Sequence, residues 1–233
     1  TKITLAGRST RSALQQMSDA DPLLESMGTT LLAVVSHGEE VTVGHIGDSR
    51  VYALRGTSLY QVTTDHTHVQ RLVDTGQLTP EKARSHPYRA MLLRSLDDQP
   101  GGPDLDVIAL QIAPGDRLLL CSDGLSDYLL PDEIGELLAT EDLDEAAAAL
   151  IEAALDAGTR DNVTVVVADV VAENGLADGA ADPGTTALVG AVVDPLDVSA
   201  IASEALADSL PALAALLLPA DDTQAAEPPA SDG

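Results

Sequence analysis

Four aspartates in this chain sit where apolar runs meet turns. The apolar run 118–121 leads into Ser122-Asp123-Gly124-Leu125-Ser126-Asp127, which sets two carboxylates four residues apart. Asp161 opens a second apolar run, and Asp48 closes a third. Carboxylates gathered at the ends of strands suit a hard divalent cation such as Mg²⁺ or Mn²⁺, which takes oxygen ligands and fills its remaining positions with water. Gly124 lets the backbone turn sharply beside the Asp123 carboxylate and leaves room for an ion there. Asp161 can meet Asp123 if the strands they flank are neighbours. For Asp48, capping of a turn stands beside the metal role.

The elements that must carry these residues follow from the pattern of apolar residues. Residues 29–36 read as a buried strand, and 41–46, 50–54 and 59–63 as short strands split by Gly and Asp, the pattern of an antiparallel meander. Strand character returns at 107–112 and 117–122 across the Pro114-Gly115-Asp116 turn, and again at 162–171. Residues 65–102 differ: they are polar, hold His66, His68 and His86, and contain two helical signals. One ends at Gly76, and the other starts at Thr79-Pro80-Glu81 as an N-cap followed by Pro. This stretch is expected to be an inserted helical flap. Residues 131–139 begin with Pro and acids, a helix start. The clearest helix is 144–157, with Ala147, Leu150, Ile151, Ala154 and Leu155 on one face and Gly158 at its end. Residues 11–17 read as one or two helical turns. Strands with helices packed on them give an α+β layered domain.

Several side chains have simpler expected roles. His45 lies in a strand and is expected in the core or behind the site. Arg50 is expected to pair with an acid inside the fold, and Asp127 could also serve as an acid ahead of the helix at Pro131. Asp132 and Glu133 serve that helix's dipole. The histidines show no ligand spacing with Cys or with each other, which argues against a zinc site.

Composition limits the function classes. The chain has 233 residues, 45% of them hydrophobic, without Phe or Trp, so Leu, Val, Ile and Ala must fill the core. Its formal net charge is −26. All twelve Lys and Arg lie at or before Arg160, whereas eleven acidic residues and no basic one follow Val171. Such a chain offers no basic stripe for nucleic acid, and it would be repelled by anionic lipid. The single cysteine, Cys121, sits in an apolar run and reads as core; no disulfide framework is possible, which points to a reducing compartment. No apolar run approaches 18 residues. Residues 172–233, rich in Ala, Asp, Pro and Gly, are expected to be mostly disordered, with a transient helix near 201–218 interrupted by Pro211.

The motifs taken together resemble the metal-dependent Ser/Thr protein phosphatases, the type 2C or PPM family, in their bacterial and especially actinobacterial form. The pieces that carry the resemblance are Met27-Gly-Thr-Thr30, His45-Ile-Gly-Asp-Ser-Arg50, Asp65-His66, Ser85-His-Pro-Tyr-Arg89 with Leu93-Arg94, Gly115-Asp116, the segment Cys121 to Asp127, and Asp161-Asn-Val-Thr164. They occur in the family's order over residues 26–171. The resemblance implies an α+β fold: an antiparallel β-sandwich flanked by helices, with a cluster of two to three Mg²⁺ or Mn²⁺ ions at one end. It implies that Asp123 and Asp161 bind the first metal, with Gly124 forming the close turn beside it. Asp127 and Asp48 would approach a third, weaker position that shares Asp123. The flap, about residues 64–102, would border the substrate groove, with His86 and Arg89 on it. Phosphorylated proteins would be the substrates, a Ser/Thr kinase a further partner, and the cytoplasm the location, whether free or as the cytoplasmic part of a longer anchored protein.

One departure stands beside the match. The family's Asp-Gly-x-Gly-Gly block, whose aspartate bridges two metals, and the histidine and arginine that accompany it, do not occur in this chain. Asp19 and Asp21 are not followed by Gly and cannot take that role. The expectation is therefore a phosphatase domain over 1–171 that is N-terminally incomplete, lacks its first strands and is weak or inactive as it stands. The alternative is a degenerate, non-catalytic module that binds phosphoprotein or metal. Retention of Asp123, Asp127 and Asp161 together argues against full decay.

Overall fold

The computed structural model describes residues 2–37, 40–102 and 104–172. In chain order it contains α1 (Lys2–Ala20), a 3-10 turn (Pro22–Leu24), β1 (Gly28–Thr29), β2 (Leu31–His37), β3 (Glu40–Ile46), β4 (Arg50–Arg55), β5 (Ser58–Gln61), α2 (His68–Asp74), α3 (Pro80–Arg84), β6 (Leu96–Asp97), β7 (Asp106–Leu110), β8 (Arg117–Cys121), α4 (Asp123–Ser126), α5 (Pro131–Leu138), α6 (Leu143–Asp156) and β9 (Val165–Asp169). The acidic tail expected from residue 172, with its helix near 201–218, lies outside the described residues apart from Ala172.

The strands form two main antiparallel sheets, ordered β2-β3-β7 and β5-β4-β8-β9, and a short β1-β6 pair. The expected meander is therefore broken at one point. β3 and β4 do not pair; the chain between them passes from one sheet to the other through Gly47-Asp48-Ser49. Strand side chains alternate between faces, and the burial follows. On β3, Val43 and His45 are fully buried on one face, while Ile46 on the other joins Leu96 and Leu105 under Ile3 and Leu14 of α1. On β4, Tyr52 and Leu54 face the helices with Leu119 and Cys121 of β8, and Val51 is fully buried on the opposite face. Those alternating buried sets define a sandwich of two sheets, with α1 outside one sheet and α5 and α6 outside the other.

α1 is longer than the one or two turns expected. Its core-facing residues Ile3, Gly7 and Leu14 recur at helical spacing, but polar residues around them mask the stripe. α6 begins at Asp142, whose carboxylate accepts hydrogen bonds from Asp144 N and Glu145 N at 2.9 Å. It buries Ala146, Ala147, Leu150 and Ala154 against the sheet, while Leu155 is 53% exposed and does not belong to that face. The small alanines let the helix lie close to β9. β2 is an edge strand of its sheet and only partly buried, with Val35 50% exposed.

Candidate metal centre

β8 ends at Cys121, and the chain turns directly into α4. Asp123 is the first residue of that helix and Asp127 its C-cap, so the two carboxylates stand one turn apart on the same side. This short helix was not read from the sequence, and it replaces the reading of Asp127 as an acid leading into the helix at Pro131. Asp161 lies just before β9, and β9 pairs with β8. The loop around Asp161 is tied to the start of α4: Ser122 Oγ donates to Asn162 O at 3.1 Å and accepts from Thr164 N at 3.1 Å. Gly124 packs directly on this loop, where any Cβ would strike the Asn162 carbonyl oxygen. Its glycine is required by close approach, which seats Asp123 against Asp161.

Asp48 arrives from the crossing between sheets. Gly47 has φ +113°, a conformation that side chains rarely adopt, and a Cβ there would also strike Thr30. Burial raises the Asp48 carboxyl to about 6, with the neighbouring charges of Asp123, Asp65 and Asp127 adding to it. Burial likewise raises the Asp123 carboxyl, helped by Asp161 and Asp127. The structure thus places Asp123 within electrostatic reach of Asp48, Asp127 and Asp161, and Asp48 within reach of Asp127, with like charges adding to the rise at Asp48 and Asp123. A divalent cation relieves that repulsion, and the donor set is all oxygen, so the chemistry fits Mg²⁺ or Mn²⁺. Among the described residues no three Asp, Glu, His or Cys side chains gather closely enough to enclose an ion by themselves. The fit is therefore to a hard cation that keeps several waters.

Within residues 64–102 both expected helices form, with Thr67 and Thr79 as their N-caps. It docks on α4 through two arginines. Arg89 Nε lies 3.3 Å from Asp127 Oδ2. Arg84 donates to the carbonyl oxygens of Ser126, Asp127 and Leu129 at 3.4, 3.4 and 2.9 Å, and so caps the end of α4. A groove of about 420 Å³ separates flap from body, with Arg50, Asp65, Arg89 and Asp127 among its walls. His86 does not join the carboxylates: its Nδ1 accepts from Tyr88 N at 3.2 Å and its ring packs on Tyr88.

Arg50 forms the expected internal pair, with Asp65, through Nε and Nη2 at 2.8 and 2.6 Å. Burial works against the Arg50 charge, but the Asp65 carboxylate outweighs it and raises the guanidinium pKa. His45 is fully buried, and among the described residues neither ring nitrogen has a hydrogen-bond partner. Desolvation lowers its pKa to about 4, and His66 pushes it the same way. His66 stacks on it with ring centroids 4.7 Å apart, a pairing that residues 21 apart do not advertise in sequence. Cys121 is buried, and burial pushes its thiol up to about 12, which rules it out as a nucleophile at neutral pH.

The fold is an α+β sandwich of antiparallel sheets flanked by helices, with oxygen donors at strand ends that suit a hard divalent cation. The comparison with known proteins names it. The family model for Protein phosphatase 2C matches residues 7–162, and the chain belongs to that family. The chain is 48% identical over 170 residues to the serine/threonine protein phosphatase PstP of Mycobacterium tuberculosis, covering 73% of this chain and 33% of that protein. It is 37% identical over 153 residues to the serine/threonine phosphatase stp of Listeria monocytogenes, covering 65% of this chain and 60% of the relative. The solved catalytic domain of PstP in complex with two manganese ions superposes with a TM-score of 0.64 at 44% identity, over 70% of this chain and 67% of that one. The chain thus spans between a third and three fifths of the length of these curated relatives. Among the described residues no helix is long and apolar enough to cross a membrane.

Proposed function

We propose that this chain carries the metal-binding half of a phosphoprotein phosphatase site, acting on phosphoserine and phosphothreonine. In this reading Asp123 and Asp161 hold one Mg²⁺ or Mn²⁺ ion, and Asp48 and Asp127 share a weaker position with Asp123. Bound there, such cations would acidify a coordinated water and offset the charge of the phosphoryl oxygens, which is the chemistry that hydrolysis of a phosphoserine or phosphothreonine ester requires. The chain's own residues orient and hold: the carboxylates fix the ions, Gly124 keeps Asp123 against Asp161, and Arg89 and His86 stand on the flap that borders the groove. The phosphatase domain is taken as residues 1–171 with a flap at about 64–102 and a separate tail from 172. Phosphorylated proteins are the substrates, a Ser/Thr kinase acts in opposition, and the site faces the cytoplasm.

The observation that carries this reading is the coupling of Asp123 to Asp48, Asp127 and Asp161, with burial first and the neighbouring carboxylates second raising Asp48 and Asp123. No Asp-Gly-x-Gly-Gly occurs in the chain, so cation binding is expected to be stronger than turnover. The test is hydrolysis of p-nitrophenyl phosphate and of a phosphothreonine peptide with added Mn²⁺, beside Mn²⁺ binding, for the chain and for Asp123→Ala. Binding that Asp123→Ala abolishes supports the site. Absence of Mn²⁺ binding at millimolar concentration would sink it; turnover that Asp123→Ala abolishes would show that the Asp-Gly-x-Gly-Gly block is not essential, and binding without turnover is the outcome expected of this chain.

A further inference from the structure

We propose that His66 is the positioning residue that aims the Asp48 carboxylate, by clamping the Gly47 peptide on one side and anchoring itself to Asp106 on the other. The proposal rests on the reading of Asp48 as a cation ligand.

Both polar groups of residue 47 are held by residue 66. Gly47 N donates to His66 Nδ1 at 3.0 Å, and His66 N donates to Gly47 O at 2.8 Å. Gly47 is the residue immediately before Asp48, and its φ of +113° makes it the point at which the chain leaves one sheet for the other. A backbone in that region is not held by local preference alone, so the clamp fixes the direction in which Asp48 emerges.

The ring is itself held. Because Nδ1 accepts from Gly47 N–H, the proton of the neutral ring is on Nε2, 3.0 Å from Asp106 Oδ2. Arg94 Nη1 comes within 2.8 Å of the same nitrogen. Arg94 Nη2 in turn donates to Asp106 Oδ1 at 2.7 Å, so the arginine and the ring both lie against the Asp106 carboxylate. One ring face is covered by His45. Leu93 N donates to His66 O at 2.7 Å, so the residue that clamps the Asp48 loop also holds the flap segment at Leu93. The chain from flap to cation ligand is Arg94, Asp106, His66, Gly47, Asp48. Outer contacts of this kind orient metal ligands, and their loss typically weakens metal affinity by about 10- to 100-fold.

Two substitutions at one position separate aiming from mere support. In His66→Asn the side-chain oxygen can stand where Nδ1 accepts from Gly47 N–H, while the link to Asp106 is lost. In His66→Gln the amide nitrogen can stand where Nε2 donates to Asp106, while Gly47 N–H is left without its acceptor. Each variant gives up one buried hydrogen bond, so the two should melt at similar temperatures. The experiment measures, on this chain, Mn²⁺ affinity by water-proton relaxation, hydrogen exchange of the Gly47 amide, and the Asp48 carboxyl ¹³C shift of the metal-free protein at fixed pH. His66→Gln is expected to speed Gly47 exchange, move the Asp48 signal and weaken Mn²⁺ binding by about 10-fold or more. His66→Asn should stay close to the parent on all three. Equal loss in both variants, tracking their melting temperatures, would reduce His66 to a structural role and overturn the proposal. Should neither fold, Asp106→Leu and Asp106→Asn repeat the comparison from the other side of the ring, the Asn variant keeping an acceptor for Nε2–H and the Leu variant not. If the parent binds no Mn²⁺, the cation reading fails, whereas the clamp is still decided by the Gly47 exchange and the Asp48 shift.

Discussion

Arg89 of the flap and Asp127 of α4 form an ion pair across the groove, with Nε 3.3 Å from Oδ2. Both side chains are partly open to solvent, 44% and 29% exposed, so the pair is weak in itself. Its consequence would be competition, because a cation held as proposed would draw on the carboxylate that Arg89 pairs with. Arg89→Ala is expected to tighten binding at the weaker cation position by about 2- to 5-fold, the range of an exposed pair of up to about 1 kcal/mol. A two-site Mn²⁺ titration of parent and variant reads this directly; unchanged or weaker binding in the variant would show that Arg89 does not compete.

Asp48 and His45 should give opposite pH signatures in the metal-free protein. Asp48 is raised from 3.8 to about 6, so the native state holds its proton more tightly than the unfolded chain. Its contribution is fully present below about pH 4 and is lost as pH rises through 6. At neutral pH the ionised group therefore costs up to about 3 kcal/mol at 1.36 kcal/mol per unit. Asp48→Asn is expected to stabilise the metal-free chain by up to that amount at pH 7 and hardly at all at pH 4. Saturating Mn²⁺ should remove the advantage. Urea midpoints across this range, with and without Mn²⁺, decide it.

For His45 the sign reverses. Its pKa falls from 6.5 to about 4, so its contribution is complete above about pH 6.5 and is lost as pH falls through 4. Because among the described residues neither nitrogen has a hydrogen-bond partner, His45→Phe keeps the stack on His66 and leaves no orphan. It is expected to make stability less sensitive to acid, by about 3 kcal/mol between pH 6.5 and 4. An acid limb identical to that of the parent would refute the assignment.

The Arg50–Asp65 pair is largely buried, with side chains 18% and 8% exposed. Removing one partner strands the other charge. Arg50→Ala and Asp65→Ala should each destabilise by about 3 kcal/mol, and the double variant should lose much less than the sum. A double-mutant cycle by chemical denaturation measures the coupling; additive losses would deny it.

Gly124→Ala tests the seat of Asp123. The added methyl meets the Asn162 carbonyl oxygen, which is backbone and cannot swing aside. The variant is expected to lose about 2 kcal/mol of stability and to weaken Mn²⁺ binding as Asp123 moves away from Asp161. Intact affinity in a folded variant would show that the close approach is not needed.

Much of this was open to reading along the chain. β3, β4, β8 and α6 follow from apolar periodicity and end residues, since propensity, caps and alternation act over a few residues. The carboxylates at 48, 123, 127 and 161 could be picked out by type and by their place at run ends, and the motif order named the family. What the tertiary structure decided is non-local. Periodicity shows that a strand exists but not which strand it pairs with, so the passage of Gly47-Asp48-Ser49 between sheets, in place of a continuous meander, was hidden. α4 is a single turn, too short to leave a periodic trace, and it sets Asp127 beside Asp123. His66 was visible only as half of a dipeptide; its bonds to Gly47 and Asp106 join residues 19 and 40 positions away. Its stack on His45 and its place beside Arg94 likewise depend on packing. Sequence determines which groups can bond and which segments can form strands and helices. Only the closing of the sandwich brings those groups within hydrogen-bonding reach of each other.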